Sequence, residues 1–484
     1  MPKKKRFQAE RPRPDDPSME LLLKLAKDYP DESAYRVLTG AQKVAILLLL
    51  AGCAAWFIAD RILFLTVVNA VLTTFYLVIC AFKFYLIHLS LATTREMQFT
   101  PEEIASLKDE DLPVYSVLIP LYRETETLAR LVDGLTKLDY PKDKLDVQLL
   151  LEEDDAATVE AVEGMDMPPF IRAVVTPHSQ PKTKPKACNL GLAQAKGKYL
   201  VIYDGEDRPE PDQIKKAVLG FRQCPNDVIC LQAKLNFYNP RQNLLTKWFT
   251  TEYSMWFDLF LPGLDYLGSP IPLGGTSNHF DIEKLRELLG WDAFNVTEDC
   301  DLGIRIAKKR YTTRMIDSTT WEEACSDLGF WIRQRSRWTK GYIQTYLVHW
   351  RHPLRLARNL GLRQSIGFHL MIGGTPLCLL INPVYWALTV VWFVWRWEML
   401  GRLFPFPIIL WALVCLFLGN FVFVYSCMLA AFRRGNYDLV KYGLFVPIYW
   451  VMMSLGAWKG FLQLLYKPTY WEKTKHGFDL AKGS

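Results

Sequence analysis

The 484-residue chain has ten cysteines, at positions 53, 80, 188, 224, 230, 300, 325, 378, 415 and 427, and no two of them form a C-x-x-C pair. That scatter argues against a disulfide framework and against a zinc site, and it suits a reducing cytosol. Residues 1–40 lack an apolar core followed by a cleavage site, so no cleaved signal peptide is expected. No nucleic-acid module is evident. The Lys3-Lys4-Lys5-Arg6 run, which supplies part of the net charge of +6, is expected to be a solvated tail facing anionic lipid. Nor is the hydrophobicity evenly spread. Half of the residues are hydrophobic, yet 22% are charged and the mean hydropathy is only +0.03. The apolar residues must therefore be concentrated in segments, which predicts a soluble domain and a membrane domain in one chain.

The segments are easily found. Val44 to Ile58 and Ile62 to Ala92 are apolar runs separated by Ala59-Asp60-Arg61, the pattern of a transmembrane hairpin with a tight turn. Charge counting places its two flanks in the cytoplasm. Downstream, Ile366 to Trp395, Leu403 to Phe432 and Tyr442 to Leu465 have spanning length, the first interrupted at Asn382-Pro383. His369, Gly373-Gly374 and Asn420 either pack helices together or line a polymer channel. A cytoplasmic C-terminus requires an even number of crossings. Either Ile366 to Trp395 then splits, or Tyr442 to Leu465 lies partly in the membrane plane.

Between these runs, residues 93 to about 350 alternate strand-like and helix-like stretches, the pattern of an α/β domain. The expected strands are Tyr115–Ile119, Val147–Leu151, Arg172–Val175, Tyr199–Tyr203 and Ile229–Gln232. Ligands of open parallel sheets bind at the carboxyl ends of strands, so the polar clusters there are expected to converge. Glu152-Glu-Asp-Asp155 follows the second strand, Lys184-Pro-Lys-Ala-Cys-Asn189 precedes a helix, and Asp204-Gly-Glu-Asp207 follows a strongly apolar strand. Spaced carboxylates of that kind suit Mg²⁺ on a nucleoside diphosphate, or simply cap the next helix. Lys184 and Lys186 either neutralise phosphates or form a solvated basic loop. The Glu298-Asp299 pair in Thr297-Glu-Asp299 opens a helical pattern, as a general base or as acids favoured by the helix dipole.

The last cluster is Gln334-Arg-Ser-Arg337-Trp338. An arginine fork can clamp a diphosphate, a tryptophan face can carry a sugar ring, and Gln334 can bond hydroxyls. The same residues suit an interfacial helix over Arg333 to Trp350, with arginines in the headgroups and tryptophan at the interface. The two readings are compatible if that helix carries the cluster to the mouth of a pore.

Asp204-Gly-Glu-Asp207, Thr297-Glu-Asp299 and Gln334-Arg-Ser-Arg337-Trp338, in this order between apolar hairpins, resemble the processive family-2 inverting glycosyltransferases: cellulose, chitin, hyaluronan, mannan and related glucan synthases. The stretches Leu273-Gly-Gly-Thr-Ser-Asn-His-Phe280 and Trp471-Glu-Lys-Thr-Lys-His-Gly477 resemble a bacterial branch of polysaccharide synthases. The resemblance implies an α/β domain of GT-A fold and a single displacement at the anomeric carbon of a nucleotide sugar. Asp299 matches the general base, with Glu298 and Thr297 completing the helix that touches the acceptor. Asp204 matches the first metal-ligand aspartate. The second falls at Glu206, with Asp207 adjacent, so the ligands of Mg²⁺ or Mn²⁺ are drawn from these three. Glu153 or Asp154 matches the nucleoside-binding acid, and Lys186 and Asn189 fall at donor contacts. Gln334, Arg335, Arg337 and Trp338 match the cluster closing over donor diphosphate and acceptor sugar.

The expected organisation is a cytosolic tail (1–40), a transmembrane hairpin (41–92), a GT-A domain (93–330), interfacial helices (331–365), transmembrane helices (366–466) and a tail (467–484). The function implied is a multi-pass enzyme of the plasma membrane that builds a β-linked polysaccharide from a UDP- or GDP-hexose, with an auxiliary export subunit as a possible partner. The alternative is a non-processive transferase that adds one sugar to a polyprenyl phosphate or glycolipid. A transporter or receptor that only binds nucleotides is disfavoured, because a binding module has no use for the Thr297-Glu-Asp299 base.

Overall fold

The structure, a computed structural model, describes residues 7–12, 16–93, 95–395 and 398–472. The basic run at residues 3–6 and residues 473–477 of the C-terminal motif lie outside them.

In chain order, the elements that position the site are two long helices, α1 (Gly40–Ala59) and α2 (Arg61–Ala92), strands β1 (Tyr115–Leu121), β2 (Leu145–Glu152) and β3 (Ile171–Thr176), and helix α3 (Lys184–Gln194). Next come β4 (Tyr199–Ile202), β5 (Arg208–Pro209), β6 (Val228–Phe237), α4 (Leu244–Met255), β7 (Asn278–Asp281), α5 (Glu298–Lys308), β8 (Thr312–Glu322) and α6 (Leu328–His349). Helices α7 (Gly374–Trp395), α8 (Asn420–Arg433) and α9 (Val446–Tyr466) follow.

The eight strands form one sheet in the order β3-β2-β1-β4-β7-β6-β8-β5. β1 to β4 are mutually parallel, β7 runs antiparallel between β4 and β6, and β6 pairs parallel with β8. β2 is buried at every position, as expected of a parallel strand covered on both faces. All five expected strands are present. β5, β7 and β8 were not anticipated. β7 has only four residues and β8 is rich in threonine, so neither has a long apolar run.

Asp60 alone separates α1 from α2, capping the second helix by accepting a bond from Leu63 N (2.9 Å). Among the described residues, five helical stretches are long and apolar enough to cross a membrane: Gly40–Ala59, Arg61–Ala92, Pro353–Trp395, Ile408–Arg433 and Tyr437–Tyr466. The interruption expected at Asn382-Pro383 does not occur, because α7 runs through Pro383. The irregularities lie earlier, at Gly361 (φ 72°) and in a π-helical turn over His369–Gly373. Of the small and polar residues that had two readings, Gly373 and Gly374 sit in close packing contacts. A Cβ on Gly373 would stand 2.5 Å from the Tyr346 ring and one on Gly374 2.7 Å from Ile79. Asn420 donates to Leu416 O in its own helix.

The helix expected over Arg333 to Trp350 is present as α6 and is not a free amphipath. Trp331, Gln334, Arg335, Ser336, Lys340, Gln344 and His349 of α6 are all buried. One side abuts α5 and the other abuts α9, whose Gly460 brings its backbone against the Ser336 carbonyl. The two ends of α9 are held by α4 and α6. Near one end the Tyr449 hydroxyl donates to Glu252 of α4 (2.6 Å). Just past the other end the Tyr470 carbonyl accepts from Lys340 of α6 (2.7 Å).

Candidate active site

The strand ends, α5 and α6 enclose a cavity of about 1250 Å³. Asp204, Glu206, Thr297, Glu298, Asp299, Gln334, Arg335, Arg337 and Trp338 all line it, so most of the expected site residues do converge. Helix α3 begins at the carboxyl edge of the sheet, and Lys184 at its start bridges two parts of the site. Its ammonium binds the Asp204 carboxylate and donates to Gly275 O (2.8 Å). Burial works against its charge, but Asp204 and then Glu298 more than compensate, and its pKa is raised.

The acidic turn after β4 divides its labour. Asp207 is buried and does not line the cavity. It accepts from Asp204 N (2.8 Å) and from the Thr276 hydroxyl, closing the turn against the Leu273-Gly-Gly-Thr-Ser-Asn-His-Phe280 stretch. Burial, then the charges of Asp204 and Glu206, push its pKa well up. Glu322 at the end of β8 is raised for the same reasons: burial first, then Asp207, Asp204 and Glu206. Three carboxylates, Asp204, Glu206 and Glu322, thus crowd one wall of the cavity with Asp207 buried behind them, a field that a cation relieves. Among the described residues, no three His, Cys, Asp or Glu side chains already surround one point as a metal cage would. Mg²⁺ takes one or two carboxylates and fills its remaining positions from phosphate and water. Asp204 and Glu206 therefore fit such an ion, while Asp207 is committed to the turn.

Opposite, Glu298 and Asp299 open α5. Burial and then the Asp299 charge raise the Glu298 pKa to about 8, and burial raises that of Asp299. Arg337 approaches both acids from α6 with its guanidinium 4.3 Å from the Trp471 ring. Burial lowers its pKa, and Glu298, Asp299 and Asp204 oppose that shift. Arg337 Nε and Gln334 Oε1 are buried with no hydrogen-bond partner among the described residues. A donor and an acceptor left unmade at a cavity wall are costly unless a ligand meets them. Trp338 lies beside Tyr253 with the rings 30° apart and their centroids separated by 6.2 Å.

The other expected contacts are placed differently. Arg335 lines the cavity together with Glu252, with which it forms a bidentate pair, and it donates to the Tyr449 hydroxyl (2.8 Å). Two residues turn a helix by about 200°, so Arg335 ties α4 and α9 together while Arg337 approaches Glu298 and Asp299. Lys186 is fully buried and donates to Ser179 O (3.1 Å), 3.5 Å from Glu152. Asn189 spends its amide on Leu22 O (3.3 Å), Trp291 O (2.8 Å) and Trp291 N (2.9 Å). Neither residue lines the cavity. Glu153 accepts from His178 N (2.7 Å), and Asp154 pairs with Lys182, which holds its pKa down against the opposing effect of burial. Both acids are exposed outside the cavity, whereas Glu152 lines it, as do Tyr122, Arg123 and Lys182. The strand-end rule, applied after β1, could have located Tyr122 and Arg123.

Comparisons with known proteins agree with this geometry. Residues 116–278 match the model of Glycosyl transferase family 2 and residues 199–431 that of Glycosyl transferase family group 2. The chain therefore carries a family-2 glycosyltransferase domain. It is 29% identical over 236 residues (48% of the chain, 56% of the relative) to the Bacillus subtilis protein named Probable glycosyltransferase YdaM. Over 257 residues it is 26% identical to glucomannan 4-beta-mannosyltransferase 2 of Arabidopsis thaliana (50% of the chain, 46% of the relative). Over 272 residues it is 25% identical to beta-monoglucosyldiacylglycerol synthase of Synechocystis (54% of the chain, 56% of the relative). The chain thus spans about half the length of the curated relatives it matches. Among solved structures it resembles mannosyltransferase PcManGT of Pyrobaculum calidifontis in complex with GDP-Man and Mn²⁺. That similarity has a TM-score of 0.53 at 16% identity and covers 83% of this chain and 99% of the other. At that identity the likeness is one of fold, and the fold is GT-A-like.

Proposed function

We propose that the protein is an inverting glycosyltransferase that moves a hexose from a nucleotide sugar to a saccharide hydroxyl at a membrane, lengthening a β-linked glycan. The observation that carries this is Arg337. Its Nε is buried without a partner, and the side chain lines a cavity that also holds Asp204, Glu298 and Asp299, whose charges act on it. The donor diphosphate lies between Asp204 and Arg337, and Tyr122 and Arg123 border the nucleoside. A divalent cation held by Asp204 and Glu206 would neutralise the diphosphate, as the Mn²⁺ and GDP-Man in the solved relative suggest. Arg337 answers the charge that builds on the leaving group. Asp299 accepts the acceptor hydroxyl proton as that oxygen attacks the anomeric carbon. Burial and then the Asp299 charge raise the Glu298 pKa, which favours the neutral form of Glu298 beside the base Asp299. Trp338 and Tyr253 offer the acceptor ring its platform.

On this reading the α/β domain is cytoplasmic, beneath the plasma membrane. Helices α1, α2, α7 and the stretch Ile408–Arg433 cross, and α9 lies in the plane because its two ends are held by α4 and α6. Four crossings return both termini to one side.

A second acceptor reading, transfer to a glycolipid or polyprenyl phosphate, is favoured by the apolar walls that Pro376, Leu379 and Met453 give the membrane end of the cavity. The Synechocystis relative also supports it. The glucomannan relative supports chain elongation. The test is purified protein in lipid with radiolabelled UDP- and GDP-hexoses, followed by product sizing and glycosidase digestion. A long β-linked product supports elongation, a single sugar on lipid supports the second reading, and no transfer from any donor refutes both.

A further inference from the structure

A ridge of α7 leads from the active-site cavity toward a second hollow. Thr375, Pro376 and Leu379 line the cavity. Pro383, Val384, Ala387, Leu388 and Val391 line the adjoining crevice of about 390 Å³, which Trp458 of α9 closes. Positions 375, 379, 383, 387 and 391 recur every four residues, so neighbouring members touch and the row forms a ridge that winds around the helix from the cavity to the crevice. Across from them, α9 contributes Met453 to the cavity and Trp458 to the crevice. The Trp458 indole N–H donates to Leu380 O (3.0 Å), fixing the ring as the crevice wall. Leu379 and Pro383 are one helical turn apart, about 6 Å, so cavity and crevice follow one another directly.

The crevice is lined by apolar side chains and opens sideways, with Val384 51% and Trp458 40% exposed. It belongs to a stretch, Pro353–Trp395, long and apolar enough to cross a membrane, where the surrounding solvent is hydrocarbon. Sugar hydroxyls would find no side-chain partners along that wall and would be costly to desolvate there. An alkyl chain meets no such cost.

We infer that the acceptor sugar arrives attached to a lipid whose hydrocarbon chain lies in this crevice, while its head group extends past Leu379 to Asp299. This rests on the lipid-borne acceptor reading above. It holds whether one sugar or many are added to that head group.

The test uses the protein in nanodiscs, the nucleotide hexose that it turns over, and methyl, octyl and dodecyl β-glucosides as acceptors. Wild-type kcat/KM should rise at least tenfold from methyl to dodecyl. Ala387→Trp and Val391→Phe, which fill the crevice, should each bring that ratio below twofold, with nucleotide titration confirming that the variants are folded. A wild type indifferent to chain length, or variants that keep the full ratio, would overturn the inference. A dodecyl glucoside bearing a diazirine at its chain end gives a readout independent of turnover. Adducts should fall on residues 383–391 and Trp458, and should be competed by dodecyl but not methyl glucoside. Equal labelling of the exposed Ile366, Val451 and Leu455 would mean ordinary bilayer lipid only, and would also overturn the inference. Failure of transfer with every nucleotide sugar would instead strike the transferase reading, with the photolabelling still deciding the crevice.

Discussion

Gly341 of α6 lies against Thr297 so closely that a Cβ there would stand 2.3 Å from the threonine hydroxyl and 2.4 Å from its methyl. This contact seats the helix of Gln334, Arg337 and Trp338 on the turn that presents Glu298 and Asp299. Gly341→Ala should push the two apart. The expected result is a loss of about 1–3 kcal/mol in stability, as overpacking usually costs, with at least a tenfold fall in kcat. Wild-type turnover with a lowered melting temperature would mean that the contact serves only folding.

Asp299→Asn keeps the shape of the side chain and removes its ability to take a proton. Transfer should fall by about 100-fold or more, while nucleotide-sugar affinity measured by calorimetry stays within a few fold. Retention of a tenth of the wild-type rate would remove Asp299 from the role of base.

Glu298 carries a pKa raised to about 8, first by burial and then by Asp299. A carboxyl raised in this way binds more protons in the folded than in the unfolded chain between pH about 4.5 and 8. It therefore adds stability below that window and loses it as pH rises through 8. Glu298→Gln should flatten the fall in melting temperature between pH 5 and 9, leaving the variant more stable than wild type at pH 9. Parallel melting curves across that range would contradict the raised pKa.

Removing divalent cations with EDTA should abolish transfer, and Mg²⁺ or Mn²⁺ should restore it. Asp204→Ala should lose nucleotide binding and activity together. Glu206→Gln should raise the Mn²⁺ concentration needed for half-maximal rate about tenfold, with little change in melting temperature. Asp207→Asn should do the reverse, because Asp207 closes the turn and does not line the cavity. Equal effects of the last two substitutions on metal dependence would assign Asp207 to the ion as well.

Arg337 and Arg335 should separate cleanly. Arg337→Lys replaces a planar fork by a point charge and should cut kcat by one to two orders of magnitude at unchanged stability. Arg335→Met strands Glu252 without its partner and should cost about 3–5 kcal/mol of stability. Normal output from Arg337→Lys would return that residue to a headgroup contact.

Much of this was legible in the chain. Long apolar runs mark helices and doubly covered strands because burial on all sides leaves no polar position, so β1, β2, β3, β4 and β6 could be read directly. Asp204, Glu298, Asp299 and Arg337 could be nominated because their chemistry is local to short clusters. Rotation about helices was harder to read. Lys184 reaches the site while Lys186 and Asn189 on the same helix turn into the domain, and Arg335 is paired with Glu252 while the Arg337 Nε is left without a partner. Each outcome depends on which neighbour the helix packs against, and no spacing within one segment encodes that.

The sequence by itself determined which segments are apolar enough for lipid, which strand ends bear charge, and the order of the three acid and arginine clusters. Only the tertiary structure decided that Asp207 closes a turn instead of lining the cavity. It also decided that Tyr442 to Leu465 lies along α6, and that α7 and α9 leave an apolar crevice one helical turn from the active-site cavity. These outcomes rest on contacts between residues far apart in the chain, such as Tyr449 with Glu252 and Trp458 with Leu380. Their geometry exists only once the helices have packed.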